Sequence, residues 1–169
     1  MNANKRHSIN YNRLIFIIVL INILSFMGCM SGYVGKTVPL QNRIAIKDEG
    51  PQQGSWTRSH ATFNYMYTRT SGKLGLTGDL SIDGLRGRLI SFHFWLHFID
   101  ENGTITESLI IFSSNANRKG VIKKDLNLPT NTSAMTFGYA GESEDKMTDG
   151  RQTDTFHSSP LYLRKTHNP

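Results

Sequence analysis

Apolar and polar residues alternate along most of the chain from Ser55 onward, and this two-residue period restricts the fold more than any other feature of the sequence. Successive side chains of a β-strand point to opposite faces, so alternation is typical of strands with one buried face. Turn-forming residues separate the alternating segments, and no helix of ordinary length is predicted among them. The apolar members of three segments are Phe63, Tyr65 and Tyr67; Leu74, Leu76, Leu80 and Ile82; and Met135, Phe137 and Tyr139.

The clearest local structure is a hairpin formed by residues 89–99 and 104–113. Its connection contains Asn102-Gly103, and Asn-Gly between alternating runs predicts a two-residue type I′ turn, which needs positive φ at both central positions. A four-residue loop would shift the partners but keep every side chain on the same face. The two-residue register pairs Leu96 with Leu109, Phe94 with Ile111, Trp95 with Ile110, and His97 with Ser108.

The two faces of this hairpin differ in composition. The face predicted to lie in the core holds Phe92, Phe94, Leu96, Phe98, Leu109 and Ile111. The mixed face holds Ser91, His93, Trp95, His97, Ser108, Ile110 and Phe112. Consecutive antiparallel strands without covering helices bury an apolar face best against a second sheet. We therefore expect an all-β fold, an antiparallel β-sandwich of about 7–8 strands, jelly-roll-like or immunoglobulin-like, whose strand order the sequence leaves open.

The mixed face is the candidate binding surface. A Trp flanked by polar residues on an exposed sheet stacks on sugar rings or anchors a protein partner. Trp95 is the centre of this candidate site, together with His93, His97 and Phe112. The alternative, which we prefer from the sequence, is that a loop or the N-terminal segment covers this face.

The charged and metal-binding residue types do not predict a metal centre. On a strand, His93 and His97 are separated by about 13 Å, whereas zinc lies about 2.0–2.1 Å from each ligating nitrogen, so the two histidines cannot bind one zinc ion together.

An acidic cluster is predicted to occupy a solvated loop in preference to a calcium site. The members of that cluster are Glu142, Glu144, Asp145 and Asp149. No metal and no cofactor is expected.

Recognisable catalytic motifs are missing from the sequence. It contains no Gly-x-Ser-x-Gly nucleophile elbow, no His-Glu-x-x-His motif and no EF-hand loop. We therefore expect a domain that is not an enzyme.

The N-terminus has the order of residues that an export signal needs. Lys5, Arg6 and Arg13 precede an apolar run over residues 14–24 that only Asn22 interrupts, and no acidic residue occurs before Asp48. A transmembrane helix requires about 20 apolar residues, and this run is shorter. The pattern predicts a signal segment and not a comfortable membrane span.

The end of this segment, Ser-Phe-Met-Gly-Cys over residues 25–29, resembles the lipobox of bacterial lipoproteins. The resemblance covers only residues 1–29. It implies cleavage between Gly28 and Cys29 and a lipid attached to Cys29, the only cysteine of the chain. Because Met30 and not Asp follows the cysteine, the resemblance further implies an outer-membrane location facing the periplasm or the surface, or the outer leaflet in a host with one membrane.

The remaining chain is expected to form one domain behind a tether. Residues 29–54 contain loop-forming residues and predict the tether, in which 37–40 or 43–46 would alternatively form an edge strand. Residues 55–169 are assigned to the β-sandwich. A single cysteine leaves no intramolecular disulfide, so the stability of the domain must come from its core.

Charge argues against nucleic acid as a partner. Removal of residues 1–28 would take away three of the 19 basic residues and none of the 13 acidic ones. The remaining chain would have 16 basic and 13 acidic residues, which is a formal net charge of +3. These charges are scattered and form no basic face.

These observations favour a lipid-anchored envelope protein whose non-catalytic sandwich binds another envelope component, a protein or a glycan, or supports an envelope assembly. The alternative is a carbohydrate-binding module that uses the aromatic sheet face. A second alternative is a small hydrolase that acts on polysaccharides.

Overall fold

The computed structural model describes residues 32–48, 50–147 and 150–162, and side chains throughout these ranges except at 146 and 147. The chain divides into two compact units, 1–32 and 33–169, and the fold below is that of the second. The expected cleavage and lipidation positions, Gly28 and Cys29, lie outside the described residues. Among the residues described, no helix is long and apolar enough to cross a membrane.

The described part of the second unit consists of nine antiparallel strands and one short 3-10 turn, Leu40–Asn42. The strands are β1 (Ile44–Ala45), β2 (Gln52–Arg58), β3 (Ala61–Thr70), β4 (Lys73–Ile82), β5 (Arg88–Asp100), β6 (Ile105–Ser114), β7 (Lys119–Asn127), β8 (Thr132–Met147) and β9 (Gly150–Ser158). They form two sheets packed face to face, which confirms the predicted all-β sandwich.

The first sheet has the order β6-β5-β8, and two strands share the other edge of β8. Strand β1 pairs with the beginning of β8, and β9 pairs with residues 139–147 of β8. The second sheet has the order β2-β3-β4-β7. The acidic residues Glu142, Glu144 and Asp145, which we expected in a solvated loop, lie instead within β8, because β8 and β9 form a long hairpin. The fourth member of that cluster, Asp149, lies outside the described residues.

Aromatic side chains dominate the core between the sheets. Phe63, Phe94 and Phe137 have less than 2% exposure and contact one another, with ring centroids 5.2–5.5 Å apart. Full burial of an apolar side chain contributes about 1.5–3 kcal/mol, so this cluster is a large part of the stability of the fold. The inward-facing residues of the three alternating segments described above are all buried, as predicted.

The turn between β5 and β6 differs from the predicted type I′ turn. The N–H of Gly103 donates to the carbonyl of Asp100 over 3.0 Å, and the N–H of Asp100 donates to the carbonyl of Thr104 over 3.0 Å. Gly103 has φ +86°, whereas Asn102 has no positive φ. This is a three-residue loop, a type I turn followed by a left-handed glycine. Positive φ at both central positions occurs instead at Ser71-Gly72.

The predicted register holds in the middle of the hairpin and fails at its far end. The pairs Leu96–Leu109, Trp95–Ile110 and His97–Ser108 are confirmed. Phe94, however, pairs with Phe112 and not with Ile111, because a bulge inserts one extra residue of β6. Phe112 therefore lies on the core side, half-buried against the main core, and not beside Trp95 as predicted.

Residues 33–46, which we assigned to a tether, pack against the sandwich. Val38 is fully buried, and Thr37 forms a bridge with Thr104. Of the two edge-strand alternatives, 43–46 corresponds to β1, whose Ile44 pairs with Met135 of β8. The folded unit thus begins well before Ser55.

Candidate functional site

The outer face of the first sheet is divided into a covered half and an open half. The cover consists of residues 33–38, here called the strap, and residues 159–162, here called the C-terminal segment. The strap lies along the β5–β6 turn, where the N–H of Gly35 donates to the carbonyl of Ile105 over 2.8 Å and the N–H of Val38 donates to the carbonyl of Gly103 over 2.9 Å. Main-chain hydrogen bonds therefore fix the strap in place.

The covered half contains a second, smaller hydrophobic cluster. Val38 of the strap packs there against Ile99, Ile105 and Ala134, all of which are buried. The partly buried residues that complete it are Tyr33, Val34 and Leu161. Both covering segments thus bury apolar surface of the outer face.

A buried asparagine joins the C-terminal segment to the second sheet. The Nδ2 atom of Asn42 donates to the carbonyls of Pro160 and Tyr162, each over 2.9 Å. Its Oδ1 atom accepts a hydrogen bond of 2.8 Å from the guanidinium of Arg58 on β2. The side chain of Asn42 is only 6% exposed, and it bonds to both carbonyls and to the guanidinium. It is therefore a polar link that holds the C-terminal segment in position.

His97 lies beneath this cover. Its Nδ1 atom shares a 2.7 Å hydrogen bond with Oγ of Ser108, and its ring meets that of Tyr33 edge-on at 5.1 Å. Its Nε2 atom is buried and has no hydrogen-bond partner among the described residues. Burial lowers the pKa of His97 from 6.5 to about 4, so the ring is neutral at neutral pH.

The open half forms a groove of about 540 Å³ over β5, β8 and β9. Its floor is a cross-strand row in which Ala140 lies between His93 and His157. The adjacent row on the same face places Glu142 between Ser91 and Thr155. The small side chain at Ala140 leaves space above the middle strand. Tyr33 of the strap also lines the groove, where the covered half begins.

The side chains beside this groove are aromatic and apolar. The ring of Trp95 lies 5.9 Å from that of His93, whose Nδ1 shares a 2.9 Å hydrogen bond with Oγ of Ser113. Ile110, the cross-strand partner of Trp95, is 54% exposed. The open half therefore combines hydrogen-bonding groups with apolar surface, which is typical of ligand-binding clefts.

The structure separates the four residues that the sequence grouped as a candidate site. His93 and Trp95 lie together at the open half, His97 is buried below the strap, and Phe112 is on the other side of the sheet. The sequence placed Ser91 on the mixed face beside His93, but it did not predict the rest of the groove, whose residues come from the strap, β8 and β9 and carry no local motif. These residues are Tyr33, Ala140, Gly141, Glu142, Thr155, Phe156 and His157.

The described residues contain no group of three or more His, Cys, Asp or Glu placed to hold a metal ion. The groove instead presents single hydrogen-bonding groups: two imidazoles, the hydroxyl-bearing side chains of Tyr33, Ser91 and Thr155, and one carboxylate. This arrangement suits reversible binding of a polar ligand.

Comparisons with protein-family models, with curated proteins and with solved structures gave no match for this chain. The groove on the first sheet is therefore defined by its own geometry alone.

Proposed function

We propose that this protein is a lipid-anchored component of a bacterial cell envelope whose non-catalytic β-sandwich binds another envelope component through the open half of the first sheet. The observation that carries the proposal is the division of one sheet face. The chain covers one half with its own strap and C-terminal segment and leaves the other half open beside Trp95 and Tyr33.

The lipid anchor is supported by the sequence around Cys29. This residue is the only cysteine of the chain, and it directly follows Gly28 at the end of the basic and apolar signal segment.

Mass spectrometry of the mature N-terminus tests the anchor. Membrane fractions from cells that produce the wild type should yield a terminus that begins with lipid-modified Cys29. The Cys29→Ser variant should lose the lipid mass and leave the membrane fraction after detergent-free washing. An unmodified, uncleaved Met1 terminus in the wild type would contradict the anchor and indicate a signal-anchored protein.

Photo-crosslinking in the producing bacterium tests the binding surface. A photoreactive amino acid in place of Trp95 should give a discrete crosslinked product. The matched control is the same substitution at Met66, which is 48% exposed on the outer face of the second sheet. Equal products from both positions, or none from Trp95, would count against the open half as the binding surface.

A further inference from the structure

We infer that the groove of the first sheet binds uncharged sugar residues. This inference rests on the proposed function, since it names the class of ligand for the same surface. It is carried by three features of the groove: its charge, its hydrogen-bonding groups and its aromatic border.

The charge of the groove disfavours anions. Among the described residues that line it, Glu142 is the only acidic one, and none is a lysine or an arginine. A phosphate or carboxylate ligand would face this carboxylate without a compensating cation, because recognition of such anions depends on arginine, lysine or clustered backbone N–H groups. An uncharged ligand meets no such penalty.

The hydrogen-bonding groups of the groove match a polyhydroxylated ligand. The hydroxyls of Ser91 and Thr155 both donate and accept, and Glu142 accepts. His93 offers its Nε2 atom, since its Nδ1 atom is already bonded to Ser113, and His157 offers its imidazole. A sugar ring presents hydroxyls that also donate and accept on several sides. The two rows of side chains thus offer hydrogen-bonding partners to several hydroxyls of a sugar ligand.

The aromatic border supplies the apolar contact that a sugar ring needs on its C–H face. Trp95 is half-buried and lies against His93, so its ring is held in place beside the groove. A side chain that is already ordered loses little conformational entropy on binding. The groove volume of about 540 Å³ falls within the range of about 300–1,000 Å³ that small-ligand sites occupy.

An array of neutral and anionic glycans, probed with the purified full-length protein in detergent, tests the inference. We expect signal from neutral glycans and at least a tenfold loss of that signal in Trp95→Ala and in His157→Ala. The matched control is Met66→Ala on the second sheet, which should bind like the wild type. Thermal unfolding of each variant verifies that it is folded.

Three other outcomes of the array experiment would overturn the inference. These outcomes are binding of anionic glycans only, binding of no glycan, and binding that persists in both Trp95→Ala and His157→Ala. The crosslinking experiment distinguishes this failure from failure of the proposed function. A protein crosslinked at Trp95 in the absence of glycan binding would keep the proposed function and remove the sugar ligand, whereas the absence of both would remove both.

Discussion

His93 and His97 lie on the same strand and the same face of the first sheet, yet their environments are opposite. Each shares a hydrogen bond between Nδ1 and a serine of β6, Ser113 for His93 and Ser108 for His97. His93 is exposed in the groove, whereas His97 is completely buried under Tyr33. The difference arises from the strap and not from the strand, since the two positions are equivalent in their local pairing.

The same contrast holds for the two halves of the face. In the covered half, Ile99 is fully buried by residues far away in the chain, whereas Ile110 in the open half is 54% exposed. A mixed sequence pattern on one strand face is therefore compatible with both a small core and a binding surface. Which of the two forms depends on the segments that lie over it.

The largest expected effect concerns the small core of the covered half. Ile99→Ala should lower the free energy of unfolding by about 2–5 kcal/mol, because it leaves a cavity in a buried cluster. Its matched control in the open half is Ile110→Ala, which should change stability by no more than about 0.5 kcal/mol. Urea unfolding followed by tryptophan fluorescence measures both. Equal losses would show that the two halves are packed alike.

The second effect is a pH dependence that arises from His97. Its pKa is lowered to about 4 in the folded protein, against 6.5 when exposed. The unfolded chain therefore binds more protons in this interval, so stability is fully present above pH 6.5 and is lost as the pH falls toward 4, by about 3 kcal/mol at most.

Unfolding measured at several pH values tests this dependence by the difference between two variants. His97→Gln should show less loss of stability between pH 6.5 and 4 than the wild type does. His93→Gln should retain the loss seen in the wild type. The assignment to His97 fails if both variants follow the wild type.

The third effect concerns Asn42, whose hydrogen bonds hold the C-terminal segment in position. Asn42→Ala should lower the free energy of unfolding by about 1–3 kcal/mol, because it removes the donors to the carbonyls of Pro160 and Tyr162. The exposed neighbour Gln41 offers a control, and Gln41→Ala should be close to neutral. Hydrogen exchange should also be faster in the strap and at Leu161 in Asn42→Ala only. Unchanged exchange in these segments would mean that Asn42 does not hold the cover.

The smallest expected effect is a difference in stability between variants of Ser108 and Ser113, the two serines that bond to His97 and His93. Ser108→Ala should lower the free energy of unfolding by about 1 kcal/mol, since it removes the hydrogen-bond partner of a buried imidazole. Ser113→Ala should have a smaller effect, because water can replace its bond to the exposed His93. Chemical denaturation of the two single variants makes the comparison. Equal effects would argue that burial of His97 does not strengthen its bond to Ser108.

The inward-facing residues of the strands were predictable from the sequence. Phe63, Leu76 and Phe137 each occupy the apolar phase of an alternating segment, and each is buried. The middle of the β5–β6 register was predictable too, with Trp95 opposite Ile110. These features depend on side chains close together in sequence, so the two-residue period suffices to predict them.

The position of Phe112 was not predictable, because it depends on one extra residue of β6. A bulge at Ile111 moves the following side chains to the opposite face, and no turn-forming residue marks it in the sequence. The loop after Asp100 also differs from the expected type. There the Asp100 side chain accepts a hydrogen bond of 2.8 Å from the N–H of Thr104, which favours the three-residue form.

The sequence by itself determined the fold class, the two-sheet core and the contrast between an apolar and a mixed face on the β5–β6 hairpin. Only the tertiary structure decided that the mixed face is half core and half groove, because that division depends on the strap, the C-terminal segment and the placement of His157 beside His93 across β8. Local alternation fixes the face on which a side chain lies, whereas its burial depends on contacts between distant parts of the chain, such as Tyr33 with His97 and Asn42 with Pro160.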